Sequence, residues 1–266
     1  MTGIMRILKS EWRKLRRPTL LFGALGAAVF FSGLFTSLLF ILVDSAEGNS
    51  RRGQMISRAT LALPQGVTIG FASVAGFLGV IALCVFAAQT AQEYTYSTLR
   101  NLLVRQPSRM KILLGKLAAM KIFTLIMVLL SAIVSISAAV IFAEKKSVST
   151  LLWFTGAGQS AIIHTLINVF ISVLGYGIIG MVLGLLLRSP ITSISIGVLW
   201  LLIVENLLGA VKASTLRWLP GSQLQTIASG GTREISYTHA MTVGGAYVLI
   251  GGVIASILFV RRDVAN

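Results

Sequence analysis

Few side chains in this sequence could do covalent chemistry, and none stands at a spacing that would support it. Gly115-Lys116 offers the glycine–lysine pair of a phosphate-cradling loop, but the upstream glycine and the following Ser or Thr are missing. His164 and His239 lie far apart, and no His-Glu-x-x-His run presents a zinc site. Each is expected to make an interfacial or inter-helix hydrogen bond. The single cysteine, Cys84, sits within an apolar run, which excludes a disulfide or a cysteine-ligated metal within one chain. No Ser/His/Asp or paired-acid group stands out, although such groups are assembled in space rather than in sequence. The expectation is a protein that is not itself an enzyme and binds no cofactor or metal.

What remains is polar chemistry of another kind. The stretch from Glu93 to Lys121, EYTYSTLRNLLVRQPSRMKILLGKLAAMK, carries six basic side chains, one acidic and a proline between long apolar runs. Thr95 through Arg105 can form a short helix with Leu99, Leu102 and Leu103 on one side and Arg100 and Arg105 beside them. Pro107 and Ser108 end it, and Arg109 opens the next helix. Three leucines are more than a solvated loop needs. They suit a short helix that conveys rigid-body motion from a cytoplasmic partner, with Glu93 orienting the loop by pairing with a nearby base. Glu205, in WLLIVENLLG, is the other exception, because a carboxylate late in an apolar run is costly unless paired or near water. It is either part of a translocation path or outer gate, or an anchor that caps backbone or pairs with Lys212 or Arg217. The anchor is favoured, since Glu205 falls near the outer end of its run.

The elements that must position these residues follow from hydropathy. The 266 residues are 55% hydrophobic and 12% charged, with mean hydropathy +0.86, whereas a soluble domain has about a quarter of its residues charged. Runs of roughly twenty apolar residues, the length that crosses a bilayer as a helix, recur at about 19–43, 67–91, 122–142, 161–187, 191–208 and 241–260. The chain reads as an all-α integral membrane protein, one transmembrane domain of six spans. The first run is too long for the apolar core of a cleaved leader. Fifteen Lys and Arg fall on the side of the N-terminus and the 93–121 loop, against eight on the other. That bias places both termini and the loop in the cytoplasm. It also accounts for the net charge of +15 through the lipid bilayer, with no nucleic acid as partner.

Residues 3–17 read as a helix lying along the inner leaflet. Ile4, Leu8, Trp12 and Leu15 recur at helical spacing, with Arg6, Lys9, Arg13, Lys14 and Arg17 over much of the rest. Trp12 suits the headgroup boundary, and Pro18 permits a turn into the first span. Only Arg188, Ser189 and Pro190 separate the fourth and fifth spans, so these must be antiparallel neighbours. Gly209 to Ala240, with its Gly230-Gly231 break, reads as short helices or a re-entrant piece resting on the outer mouth. Gly175, Gly177, Gly180 and Gly184 line the fourth span and are assigned to close helix packing.

The string from Glu93 to Lys116 resembles the cytoplasmic loop of type-2 ABC transporter permeases, the export-type membrane subunits. In that family a Glu ends the second span, Gly-Thr-Leu-Arg follows, and a Pro/Ser-Arg break and a Lys begin the third. The matching positions are Glu93, Thr98, Leu99, Arg100, Pro107, Ser108, Arg109 and Lys116, with Ser97 standing where the family has glycine. SEWRKLRRP, from Ser10 to Pro18 and including Trp12, Arg13 and Lys14, resembles the family's membrane-surface helix. Glu205 with RWLP, from Arg217 to Pro220, resembles its outer segment, and FVRRDV its terminus. The likeness spans the whole chain. Within the family it is most similar to permeases for export of, or self-protection from, peptide antibiotics such as bacitracin and lantibiotics.

The resemblance implies a coupling helix, carrying Thr98, Leu99, Arg100, Leu102, Leu103 and Arg105, that inserts into a cleft on a separate ABC ATPase subunit. That partner would hold the ATP and Mg. It further implies a second permease subunit, as homodimer or heterodimer, a bacterial inner-membrane location, and export of an antimicrobial peptide, drug or lipid-like molecule. Two readings from other classes stand beside it. A secondary transporter would need ionisable residues near mid-membrane, which the spans lack apart from Glu205. A non-transporting assembly or sensor protein would also fit six spans.

Overall fold

Apolar runs this long leave the backbone no partner but itself, and in the described residues the runs meet that demand as helices. The computed structural model describes residues 3–43, 57–96, 103–104 and 108–261. Among these, α1 (Gly3–Leu15) precedes the first span, α2 (Pro18–Ile41), and a single turn, α3 (Arg58–Leu61), leads to the second span. That span is α4 (Gly66–Ser73) and α5 (Ala75–Thr95). The third is α6 (Arg109–Lys145) and the fourth α7 (Gly156–Leu187). The fifth runs through α8 (Pro190–Leu199), a π-helical turn at Trp200–Val204 and α9 (Glu205–Val211). A 3₁₀ turn (Ala213–Arg217) and α10 (Pro220–Ala228) then lead to the sixth span, α11 (Tyr237–Arg261).

Among the described residues, six helices are thus long and apolar enough to cross a membrane. Their limits differ from the apolar runs. The third helix begins at Arg109 rather than near residue 122, the fourth at Gly156 and the sixth at Tyr237. Polar residues beyond the hydrocarbon still pair their backbone groups best by extending the helix, so apolar edges underestimate helix ends.

Spans two and four form the centre. Just over half of their most apolar stretch is buried, 56% in each, against 22% for span one, 17% for span six and 11% for span five. The central pair is close because the fourth span offers glycine at the contact. A methyl at Gly180 would overlap the backbone of Leu83, and one at Gly184 would stand 2.8 Å from the Ala87 carbonyl oxygen. Spans one and three meet through small polar residues instead, Ser32 on Ser131 and Thr36 on Ser135, all buried. The turn joining spans four and five is tight because Arg188 adopts a left-handed conformation (φ 55°), after which Ser189 caps and Pro190 starts the next helix. Beyond span three, Trp153 is fully buried and donates its indole N–H to the Leu61 carbonyl at 2.8 Å.

Candidate functional site

Four charged side chains meet where α1 packs along the start of span three. Glu11, Glu93 and Lys116 are 2%, 5% and 2% exposed. The Lys116 ammonium donates to Glu11 Oε2 at 2.7 Å, to Glu93 Oε1 at 2.9 Å and to the Gln89 carbonyl at 3.1 Å. Those three bonds use every proton it has. Lys14 donates to Glu93 Oε1 at 2.7 Å and to Glu11 Oε1. Two carboxylates and two ammonium groups therefore join α1, the end of span two and the start of span three in one knot. A buried charge is tolerable only when so paired.

This knot alters the reading of α1. Its buried line is Ile7, Glu11 and Leu15, with Leu8, Trp12 and Lys14 half-buried at its edge. The apolar line expected from Ile4, Leu8, Trp12 and Leu15 is rotated, because the ion pairs draw Glu11 inward. Trp12 packs against the apolar core, while Arg13 is exposed and turns back to the Lys9 carbonyl. The signals for the knot were present. Glu11 is the single acid in a strongly basic helix, and Lys116 lies on the helical face of Ile112, Ala119 and Met120, all buried.

Of the residues assigned to the coupling helix, Thr98, Leu99, Arg100, Leu102 and Arg105 lie outside the described residues, as does Pro107. Leu103 and Val104 are helical. Leu103 packs against the core and Val104 is 79% exposed. Either side of this segment is tied down. Arg109 donates to the Phe259 carbonyl at 2.9 Å, joining spans three and six. The Arg188 guanidinium lies over the Tyr94 ring at 5.3 Å, joining the turn after span four to span two.

At the opposite end of the bundle Glu205 is 5% exposed. Its Oε1 accepts the Trp200 indole N–H at 3.0 Å and the Gly221 N–H at 2.9 Å, and its Oε2 accepts the Ser222 N–H at 2.9 Å. The carboxylate is thus met by the free backbone donors at the start of α10, where Pro220 is the first helical residue. Lys212 and Arg217, the cations considered for it, contribute none of these bonds. The π-helical turn brings Trp200 and Glu205, five residues apart, onto one face. Gly221 is needed for the approach, since a side chain there would press on the Glu205 carboxylate and Leu201. Tyr176 of span four adds a bond from its hydroxyl to the Gly221 carbonyl at 2.7 Å. Arg217 is exposed, and its carbonyl accepts the His239 Nε2–H at 2.9 Å.

Beside Glu205 lies a cavity of about 930 Å³ with Phe77, Val80, Leu201 and Leu202 on its apolar side and Asn206 and Gln225 among its polar groups. It has the size and mixed lining of a small-molecule site. Among the described residues no three His, Cys, Asp or Glu side chains gather as a metal site.

Over residues 59–265 the chain matches the model of a family described as a protein of unknown function, DUF2705. No curated protein matches it.

Proposed function

This chain belongs to the DUF2705 family, and we propose that it works as the permease subunit of an ATP-driven ABC exporter in a bacterial inner membrane. The observation that carries the reading is the Glu11–Lys14–Glu93–Lys116 knot. Glu93 and Lys116 bracket the segment assigned to coupling, and they are bonded to each other and to α1. A push on residues 97–107 would then move spans two and three and α1 as one body instead of flexing a loose loop. ATP and Mg belong to a separate ATPase, into whose cleft Leu99 and Leu102 would fit, while Leu103 packs against this chain's own core. Span five, the least buried, would face a second permease subunit, and the cavity beside Glu205 would lie on the route of an exported antimicrobial peptide, drug or lipid-like molecule.

Two experiments test this. Purified gently from its host membrane, the chain should bring an ATP-hydrolysing subunit with it, and changing Leu99 to Ala together with Arg100 to Glu should release that subunit while leaving the chain inserted. Absence of any ATPase with the unaltered chain, or full retention by the double variant, would sink the proposal. Single cysteines at Ser97 and Asn49 should label from opposite membrane faces, and labelling from one face would overturn the orientation.

A further inference from the structure

The end of the bundle that holds Glu205 also carries a charged rim. Thr232 to Ile235 forms a tight turn, in which the Thr232 N–H donates to the Ile235 carbonyl at 2.9 Å and the Ile235 N–H donates to Thr232 Oγ1 at 3.1 Å. Ile235 is buried, so Arg233 and Glu234 stand exposed at the tip of a turn that is anchored from below. With Arg217 and His239 they line a cavity of about 360 Å³. His239 holds this wall in place, because its bond to the Arg217 carbonyl joins the 3₁₀ turn to the start of span six. Arg233 and Glu234 also line the larger cavity beside Glu205, so the two spaces share the 232–235 turn. From that rim the larger cavity follows span two from Ser73 past Phe77 to Val80, roughly 10 Å at 1.5 Å per residue. Phe77 and Leu202 on its walls are exposed and present apolar surface to an occupant.

An apolar chamber under a charged mouth fits an amphiphile, and the sign of the mouth selects its headgroup. Among the described residues, no ion pair or hydrogen bond engages the guanidinium of Arg217 or of Arg233. The acids lining these spaces are Glu205 and Glu234. Glu205 is already met by three N–H donors, which leaves Glu234 as the open carboxylate of the mouth. Two free guanidinium groups against one carboxylate favour an anion, and the planar fork of a guanidinium matches the oxygens of a phosphate or carboxylate. A cationic peptide would gain Glu234 alone and would face both arginines.

We propose that the cavity beside Glu205 binds an anionic amphiphile, its apolar body between Phe77, Val80, Leu201 and Leu202 and its phosphate or carboxylate head held by Arg233 and Arg217. That this amphiphile is the exported cargo rests on the exporter reading above; its binding does not, and is measured on the chain without any ATPase. The chain is reconstituted in phosphatidylcholine nanodiscs, and saturable binding of radiolabelled dodecyl phosphate is measured with dodecanol and dodecyltrimethylammonium, which share its tail, as competitors. Dodecyl phosphate should bind about tenfold or more tightly than either. Arg233→Gln should weaken it about tenfold and Arg217→Gln about fivefold, the worth of a hydrogen bond to a charged group at an exposed position. Both changes lie on the surface, so the melting temperature should not move. Glu234→Gln should tighten binding by removing the like charge. Leu202→Trp, which fills the chamber from an exposed position, should weaken dodecyl phosphate and dodecanol alike. Displacement of dodecyl phosphate by a small share of phosphatidylglycerol in the nanodisc would support the site and name a bilayer lipid as its source, while indifference to that lipid would support a cargo of another kind. Tighter binding of dodecyltrimethylammonium, lost in Glu234→Gln, would give the site to a cationic ligand and overturn the proposal. So would equal binding of the three probes, or dodecyl phosphate binding unmoved by both arginine changes. A chain that binds dodecyl phosphate but brings no ATPase with it keeps this inference and loses the exporter reading.

Discussion

At one end of the bundle Glu11 and Glu93 are met by ammonium groups from other elements, with Lys116 lying 105 residues from Glu11 and Lys14 lying 79 residues from Glu93. At the other end Glu205 is met by two backbone N–H groups and an indole, none more than 17 residues away. The two solutions differ in what they permit. Attraction between charges falls off slowly with distance, so the first set keeps α1 and spans two and three together as one body even when an individual bond lengthens. A backbone cap depends steeply on angle and distance, so the second fixes α10 to span five in one pose. The first is suited to a joint under load, the second to a rigid splice.

The most damaging change should be at the joint. Lys116→Met leaves Glu11 and Glu93 buried with only Lys14 between them, and breaking a buried pair in this way costs about 3–5 kcal/mol. It should appear as a large drop in melting temperature in detergent. Adding Glu11→Leu should recover part of that loss, since apolar replacement of a whole pair is often close to neutral. If the double variant is as unstable as the two single losses added together, the two groups do not act as a pair. Glu205→Ala should cost less, about 1–3 kcal/mol, because it strands donors that had an acceptor. Glu205→Gln should fall between Ala and the native residue, since its amide oxygen can still accept from α10. A Gln variant as damaged as Ala would mean the charge itself is required, and the contrast between joint and splice would fail. Trp200→Phe removes one of three bonds to Glu205 and should cost about 1 kcal/mol. Thermal melts of these five variants, and of Glu11→Leu alone, place them on one scale.

The spans were legible because a bilayer-length apolar run has one structural solution. Their ends were not, because Lys116 and its basic neighbours at the start of the third helix interrupt the hydropathy without interrupting the helix. Glu205 was legible as an oddity, and the Leu219-Pro220 step near it marks a helix start with free N–H groups. What could not be read was that a π turn and Gly221 bring the two together. The partners of Glu11 were hidden for a different reason. Pairing across so much chain leaves no periodic trace, so the lone acid of α1 and the lysine on a buried face stand out separately with nothing in the sequence to join them. The leucines proposed to enter an ATPase fall mainly on residues that the structure does not describe.

The separation of Glu11 from Lys116 also sets an order of assembly. A ribosome adding roughly 5–20 residues per second delivers Lys116 several seconds after Glu11 has emerged. Throughout that interval Glu11 has Lys14, three residues along the same helix, to neutralise it. The N-terminal helix can therefore wait with its carboxylate neutralised while the first two spans are made. It docks only when the third brings the missing cation, so its closure reports that the first half of the bundle is in place.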